Sequence, residues 1–417
     1  MQAQHKHSFV VVGGGVIGLS IALSLQARGV DVLLLEQADT VGSGASVGNA
    51  GHIATEQVFP IADPSILKSL PSMLFDPLGP LRLDWRYLCQ ITPWFMRLLG
   101  NMRPKPFQHI HEALTAINAA ALPAWQAFAD QWRLNDLIHI DGSLLVAEKA
   151  ATVAKLKQHG EALNRIGVRN QWLDAEALKA REPQLANQLG ALFYPDTGHV
   201  VDLAALLSRL EAEFLALGGQ VWTQAKVETI EPRGPENILL HSSKGPVWAK
   251  NVVIACGAYA KDLVRQASGV TVPLETERGY HLMLPQETGR LSVPVSSADR
   301  RFIMTPMTHG LRLAGTVEYA GLERPANMQR ARNFVPLANP MLGQALDTQS
   351  ATEWMGFRPT IADSLPVLDK QDHCYFAFGH QHLGLTQAAI SAKAIVAMHF
   401  NEPSPLDCSA FSLNRFS

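Results

Sequence analysis

The first long pattern along the chain is apolar. From Ser8 to Ala27 no charged residue occurs, and "FVVVGGGVIGLSIALSLQARGVDVLLLE" runs from Phe9 to Glu36. A run of this length could span a bilayer. Its internal order argues otherwise, because the β-branched run Val10 to Val12 meets adjacent glycines, which are costly in a helix, and a second strand pattern, Val30 to Leu35, follows directly. A signal peptide is disfavoured too, since no small-residue cleavage site follows the apolar stretch. The segment therefore predicts strand, glycine turn, helix and strand. Gly13, Gly15 and Gly18 then form G-x-G-x-x-G, whose glycines serve a tight turn, close backbone approach to pyrophosphate, and close packing of helix on strand. The phosphates would rest on the N-terminus of a helix beginning near Val16. Glu36 ends the second strand, where a carboxylate can accept hydrogen bonds from ribose hydroxyls. This predicts a dinucleotide-binding unit and leaves NAD and FAD both open.

Small residues dominate the next loop, "GSGASVGNAGHI" from Gly42 to Ile53, which suits backbone pressed against something large and flat. Apolar residues at helical spacing follow from Leu88 to Leu99. Two readings stay open for that helix: packing on the domain, or lying on a membrane surface through Trp94, Phe95, Met96, Leu98 and Leu99 beside Arg97 and Arg103. Helices are predicted around Glu112 to Trp132 and Ala150 to Ile166, with the alternating "IHIDGSLLVAE" between them as a strand. "GALFYPDTGHVVD" leads through Asp202 as an N-cap into a helix, Leu203 to Leu217, and a strand, Val221 to Ala225. A buried parallel strand, Val252 to Cys256, comes next, so the α/β pattern resumes far from where it began and the nucleotide domain is discontinuous. From Val272 to Gly321 the alternation in "LETERGYHLML", "RFIMTPMTHGLRLAG" and "GTVEYAG" predicts an antiparallel sheet, where a substrate domain would lie. The C-terminal part returns to strand, glycine loop and helix.

Composition narrows the partners. The 417 residues are enough for two domains, and a net charge of -2 without a basic stripe gives no reason to expect nucleic acid. Cys89, Cys256, Cys374 and Cys408 stand far apart, which supplies neither a disulfide framework nor a zinc site and suits a reducing cytoplasm. The pairs His109 with His111 and His380 with His382 lack further ligands at metal spacing, so no metal is expected.

With "GFRP" at Gly356 to Pro359 and "GHQHLGLT" ending at Thr386 added to the glycine fingerprint, Glu36, the "NAGHI" loop and the Val252 to Gly257 strand end, nearly the whole chain resembles a flavin family. That family comprises the FAD-dependent amine and amino-acid oxidoreductases, including D-amino-acid oxidase, glycine oxidase and bacterial D-amino-acid dehydrogenase. The loop ending in "NAGHI" points toward the dehydrogenase branch. The resemblance implies α/β plus α+β architecture: a discontinuous glutathione-reductase-like FAD-binding Rossmann domain with an antiparallel-sheet substrate domain. The expected boundaries are 1–87, 199–265 and 355–417 for FAD, and 88–198 and 266–354 for substrate.

Carried over by position, the resemblance places Glu36 on the adenosine ribose and Gly13, Gly15, Val16, Ile17 and Gly18 about the pyrophosphate. Ser43, Ser46, Asn49, Ala50 and Gly51 would line the flavin, Val227 would touch adenine, and Gly257 would close the strand end. Gly379, Gly384, Leu385 and Thr386 would present donors where negative charge develops on the reduced ring. Arg358 matches the arginine that binds the substrate carboxylate, a task suited to a planar guanidinium with two parallel hydrogen bonds. Tyr280 and Tyr319 either close the carboxylate or amine pocket or are core tyrosines. His52 and His380 are open between pocket and satisfied side chains, and Arg278 between the pocket and pairing with Glu275 or Glu277. The "ETERGYH" stretch departs from the plainer Arg-Gly or Lys-Gly of several relatives.

The implied reaction is oxidation of a D-amino acid by hydride transfer from the α-carbon to FAD N5, giving a 2-oxo acid and ammonia. Electrons would pass to a quinone or other respiratory carrier. Alternatives are oxidation of a secondary amine such as D-hydroxyproline, proline or sarcosine, or of glycine, and an oxidase using oxygen. Further rivals are an NAD-dependent dehydrogenase, which "GFRP" and the terminal glycine loop argue against, and a non-catalytic flavoprotein or assembly subunit, which would not bleach under anaerobic substrate. The expected place is cytoplasmic, in amino-acid catabolism, with peripheral contact at the inner face of the membrane as an alternative.

Overall fold

In the computed structural model, which describes residues 6–64 and 66–417, two large sheets carry the molecule. The first places the strands in the order Gln220–Trp222, Val32–Leu35, Lys6–Val12 and Gly245–Ile254, and the first three of these junctions are parallel. Strand Gly245–Ile254 then serves two neighbours. Its first half pairs antiparallel with Ile238–Ser242, which pairs with Val227–Pro232, while its second half pairs parallel with Cys374–Phe378. The stretches Phe9 to Val12, Val32 to Leu35 and Val252 to Ile254 at the centre of the sheet are apolar at every position because both faces are covered. Phe9 and Val11 pack with helices Val16–Gln26, Leu203–Ala216 and Gly384–Phe400, whereas Val10 and Val12 pack toward the three-stranded meander and helix Ala260–Ser268. The uncharged opening run is thus a strand and a helix. The segment Gln381–Phe400 is apolar and long enough to cross a membrane, but most of it is buried in this core.

The second sheet is mostly antiparallel. Its order is Thr352–Ile361, Leu274–Leu284, Gly310–Tyr319, Phe302–Met307, Val295–Ser297, Ser143–Ala147, Gly190–Tyr194 and Gln171–Asp174, with Leu81–Leu83 added parallel on Gly310–Tyr319. A small third sheet joins His52–Ile53, Gly198–Val200 and Ile138–His139.

The sheets divide the chain differently from the expected boundaries. Helix Pro104–Trp132, expected with the substrate domain, packs on the cofactor-sheet helices, and its Trp125 Nε1 donates to the carbonyls of Leu385 (2.8 Å) and Thr386 (3.1 Å). Strand Leu81–Leu83 and the whole of Thr352–Ile361 belong instead to the second sheet. The stretch "IHIDGSLLVAE" is two strands in two sheets rather than one, because Gly142, at φ +91°, turns the chain between them. "GALFYPDTGHVVD" splits likewise into Gly190–Tyr194 and Gly198–Val200.

Helix Leu88–Asn101 is only partly an exposed apolar surface. Trp94 is buried with its Nε1 donating to the Thr360 carbonyl (3.3 Å), and Phe95 packs edge-on against Tyr319. Those two rings therefore serve the interior, and the exposed apolar side chains nearby are Phe75, Trp85, Leu88, Met96 and Leu99.

Candidate functional site

A cavity of about 1260 Å³ runs from the glycine turn after Lys6–Val12, across the ends of the parallel strands, to the face of the second sheet. Close packing shapes its first end. Gly13 has φ +107°, and a Cβ there would lie 2.7 Å from the Ala255 carbonyl oxygen; a Cβ on Gly18 would collide with the Gly13 carbonyl oxygen. Gly18 therefore acts beneath the cavity, setting helix on strand, while Gly13, Gly15, Val16 and Ile17 line it. The helix has no acidic residue in its first turn, so its N-terminal dipole is uncompensated by charge, and the Val16 N–H donates to Ser46 Oγ (2.9 Å).

Glu36 stands at the end of Val32–Leu35, on the cavity wall. Its Oε2 accepts from the Gly14 N–H (2.7 Å) and its Oε1 from the Ala38 N–H (2.8 Å). The carboxylate thus fixes the glycine turn before any ligand arrives. Ser43, Ser46, Asn49, Ala50, Val227, Gly257, Gly379, Gly384 and Leu385 also line the cavity. Gly51 and Thr386 do not. A Cβ on Gly51 would meet Met307 and the Val200 carbonyl, and Thr386 is buried with its Oγ1 accepting from the Ala54 N–H (2.9 Å), so both act behind the wall.

The Gly42–Ile53 loop is held by side chains the sequence reading missed. Arg312 Nη1 donates to the Asn49 carbonyl (2.6 Å) and the Val47 carbonyl (3.1 Å), and His281 Nδ1 donates to the Gly48 carbonyl (3.0 Å). His281 stacks on Trp354 with ring centroids 5.0 Å apart, and a Cβ on Gly48 would run into that indole. Burial lowers the Arg312 guanidinium to about 10 and the His281 imidazole to about 3.

At the far end, register decides which side chains meet. Strand Leu274–Leu284 opposes Thr352–Ile361 with Glu277 across from Arg358, Gly279 from Gly356 and His281 from Trp354, and directly opposed residues share a face. The Arg358 side chain crosses the neighbouring strand over Gly279, where a Cβ would come within 2.8 Å of its Nε, and its Nη1 reaches the Thr316 carbonyl (3.3 Å). Among the described residues Arg358 has that one hydrogen bond and no ion pair. Burial pulls its pKa down, and the charge of Glu277 opposes the shift. Glu277 is itself buried and lines the cavity. Burial raises its carboxyl, against the effects of Arg358 and of the Tyr319 hydroxyl, which donates to its Oε1 (2.9 Å).

Tyr319 therefore stands behind Glu277, and its own hydroxyl is held protonated by burial and by the Glu277 charge. Tyr280 and Arg278 are corrections, because strand alternation sends both to the opposite face. Tyr280 packs in the core of the second sheet and its hydroxyl bonds Glu318 Oε2 (2.5 Å). Arg278 is fully buried, donating to the carbonyls of Gly321 (2.7 Å), Pro325 (3.1 Å) and Ala320 (3.3 Å), with Glu318 3.8 Å away. Arg278 pairs with neither Glu275 nor Glu277, and neither Arg278 nor Tyr280 reaches the cavity. Sequence alternation, which puts Glu277 with Gly279 and Arg278 with Tyr280, carried this signal without saying which set faces inward.

His52, His380 and His382 line the cavity, and burial holds the first two as neutral imidazoles at about 3, while His382 is exposed. His380 Nε2 bonds Ser391 Oγ (3.0 Å) and His382 Nε2 bonds Gln57 Oε1 (2.6 Å), so these histidines serve the fold around the pocket. His111 of the other H-x-H pair donates from Nδ1 to the Val58 carbonyl (2.8 Å). His52 Nε2 lies 3.9 Å from Glu56 Oε1, and burial raises Glu56 to about 8. At neutral pH both groups are therefore uncharged.

The chain matches the family described as FAD dependent oxidoreductase, DAO, over residues 8–398. The chain belongs to that family. It is 30% identical to a D-amino-acid oxidase of Bradyrhizobium diazoefficiens, across 97% of this chain and 98% of the relative. It is 25% identical to a D-amino acid dehydrogenase of Vibrio vulnificus, across 95% of this chain and 96% of the relative. In three dimensions it resembles glycine oxidase from Geobacillus kaustophilus, with a TM-score of 0.78 at 22% identity over 99% of both chains. An L-alpha-glycerophosphate oxidase from Mycoplasma pneumoniae with FAD bound gives 0.72 at 17% identity over 98% of both chains. As a DAO-family oxidoreductase the protein uses FAD. The wall fits that cofactor: the close approaches at Gly13 and Gly18 bring the Gly15 to Ile17 segment to the cavity wall at a helix N-terminus, and Glu36 stands at the next strand end.

Glu36→Ala removes the acceptor of two backbone N–H groups and the carboxylate expected to meet the ribose, with charge-assisted bonds worth roughly 1.5 to 3 kcal/mol each. The expected result is loss of FAD on dilution and gel filtration, read from absorbance; full retention would refute the role. Glu56 gives a pH prediction. Its folded pKa, about 8, lies above the ordinary 4.5, so unfolded chains release this proton through a window in which folded chains keep it. The Glu56 contribution is full below about pH 4.5, declines as pH rises toward 8 and is lost above it. Glu56→Gln should flatten the fall in melting temperature between those limits, and a slope equal to wild type would show that Glu56 ionises normally.

Proposed function

We propose that the protein oxidises D-amino acids to 2-oxo acids and ammonia and passes the electrons to a quinone or another respiratory carrier. The observation that carries this reading is the guanidinium of Arg358, half-buried on the cavity wall with no ion-pair partner among the described residues. A charge partly withdrawn from water, with no carboxylate in ion-pair contact, favours an anionic ligand, and a planar fork suits a carboxylate. The names of the D-amino-acid oxidase and D-amino acid dehydrogenase relatives support the substrate class.

In this reading Arg358 fixes the substrate carboxylate and so the direction of the α-carbon, and Gly279 gives the guanidinium its room. FAD, when bound, supplies the two-electron acceptor. Glu277, held by Tyr319, limits how far the Arg358 charge goes uncompensated. The buried histidines on the wall, His52 and His380, titrate far below neutral and stay neutral while the substrate amine loses its proton to solvent. The side chains Phe75, Trp85, Leu88, Met96 and Leu99, exposed beside Arg86, Arg97 and Arg103, support peripheral contact with the inner face of a membrane and hence a lipid-soluble acceptor.

Truncating one member of a buried charge pair costs about 2 to 5 kcal/mol, so Arg358→Ala should lower kcat/KM for a good D-amino acid by roughly 30- to 5,000-fold. Arg358→Lys should recover part of it, because a point charge lacks the bidentate fork. The pH profile of kcat/KM should rise with ionisation of the substrate ammonium rather than near the usual histidine range. Anaerobic flavin bleaching by a panel of D- and L-amino acids, secondary amines and glycine, followed by reoxidation with air or a quinone, tests the whole reading. Equal bleaching by L-amino acids, or normal turnover in an FAD-loaded Arg358→Ala variant, would overturn it.

A further inference from the structure

The small third sheet places three histidines in one cross-strand row. His199 on Gly198–Val200 stands opposite His52 on one side and opposite His139 on the other. Directly opposed residues of antiparallel strands point to the same face. The row therefore runs from the cofactor cavity, at His52, through the buried His199 to the exposed His139. Asp141 follows His139 by two residues and lies beside the same ring.

At the outer end the donor atoms converge. His199 Nδ1 is 3.4 Å from Asp141 Oδ1, and the rings of His139 and His199 meet edge to face with centroids 5.5 Å apart. One ligand atom from each of His139, Asp141 and His199 lies within 4.8 Å of the other two. A tetrahedral ion with bonds of about 2.0 to 2.1 Å has an edge of about 3.4 Å, the separation the His199–Asp141 pair shows. His199, only 2% exposed, aims its buried Nδ1 at this point without a hydrogen bond among the described residues, and Asp141 Oδ1 is its near neighbour.

We propose that His139, Asp141 and His199 form a binding site for a divalent transition-metal ion of the zinc class. Two imidazoles and a carboxylate suit zinc, nickel or copper rather than magnesium or calcium, whose ligands are mainly oxygens. The exposed positions of His139 and Asp141 leave a fourth ligand position for water. Sequence spacing gave no sign of the site, because His199 comes from a strand far along the chain. The proposal is independent of the substrate reading, and its test does not use activity.

The experiment takes chelator-treated, FAD-loaded protein and titrates it with zinc chloride by calorimetry, with zinc content measured after gel filtration. One zinc per chain is expected, together with a rise in melting temperature that grows with zinc concentration, since the ion binds the folded chain. His139→Ala and Asp141→Asn replace exposed residues and should fold; each should weaken binding by at least roughly tenfold, as loss of one of three protein ligands requires. His309→Ala, which removes an exposed histidine 3.2 Å from Asp202 at another place, should leave the titration unchanged. Failure of the wild type to retain zinc, or retention unaltered in both His139→Ala and Asp141→Asn, would overturn the proposal.

Discussion

The close approach of the first helix to the first strand is the constraint on which the rest is built. Gly18 lies against the Gly13 carbonyl and Gly13 against Ala255, so three separate chain segments meet without a side chain between them. That contact brings the ends of the parallel strands to one level and turns the helix N-terminus toward a common space. Backbone donors that a larger residue would cover stay open there. The cavity, with the Glu36 carboxylate pinned to the turn at one end, follows from this packing.

The second sheet closes the space and brings charge into it. A half-buried guanidinium and a buried carboxyl, Arg358 and Glu277, stand opposite each other across two strands on the cavity wall. Neither is neutralised at close range, since the Glu277 carboxyl is occupied by Tyr319 and the Arg358 guanidinium leans over Gly279 toward a backbone carbonyl. Burial makes this arrangement unfavourable for the free protein and favourable for an anion that fits. The buried imidazoles of His52 and His380 and the Glu56 carboxyl respond to desolvation by becoming neutral.

Local pattern carried much of this. The glycine spacing, the terminal acid at Glu36 and the doubly buried strands could be read directly, because each depends on residues close together in the chain, whereas the arginine in "GFRP" came from the family resemblance. Tyr280 and Arg278 could not. Alternation tells that they share a face, but which face looks into the cavity is set by the pairing of Leu274–Leu284 between Thr352–Ile361 and Gly310–Tyr319. The aromatic helix shows the same limit: Trp94 is as apolar as its neighbours, and only the presence of the Thr360 carbonyl and the Tyr319 ring makes it interior.

The sequence by itself determined a dinucleotide-binding unit, a discontinuous α/β domain and an antiparallel sheet, and its family resemblance implied FAD and the candidate arginine. Tertiary structure alone decided that Glu277 faces Arg358, that Arg312, His281 and Trp354 hold the loop beside the cavity, and that His52, His199 and His139 stand in one row. The reason is physical: spacing along a strand or helix fixes a side chain's relation to its near neighbours, whereas strand register and sheet contact fix which distant residue it meets, and burial at that meeting sets its charge.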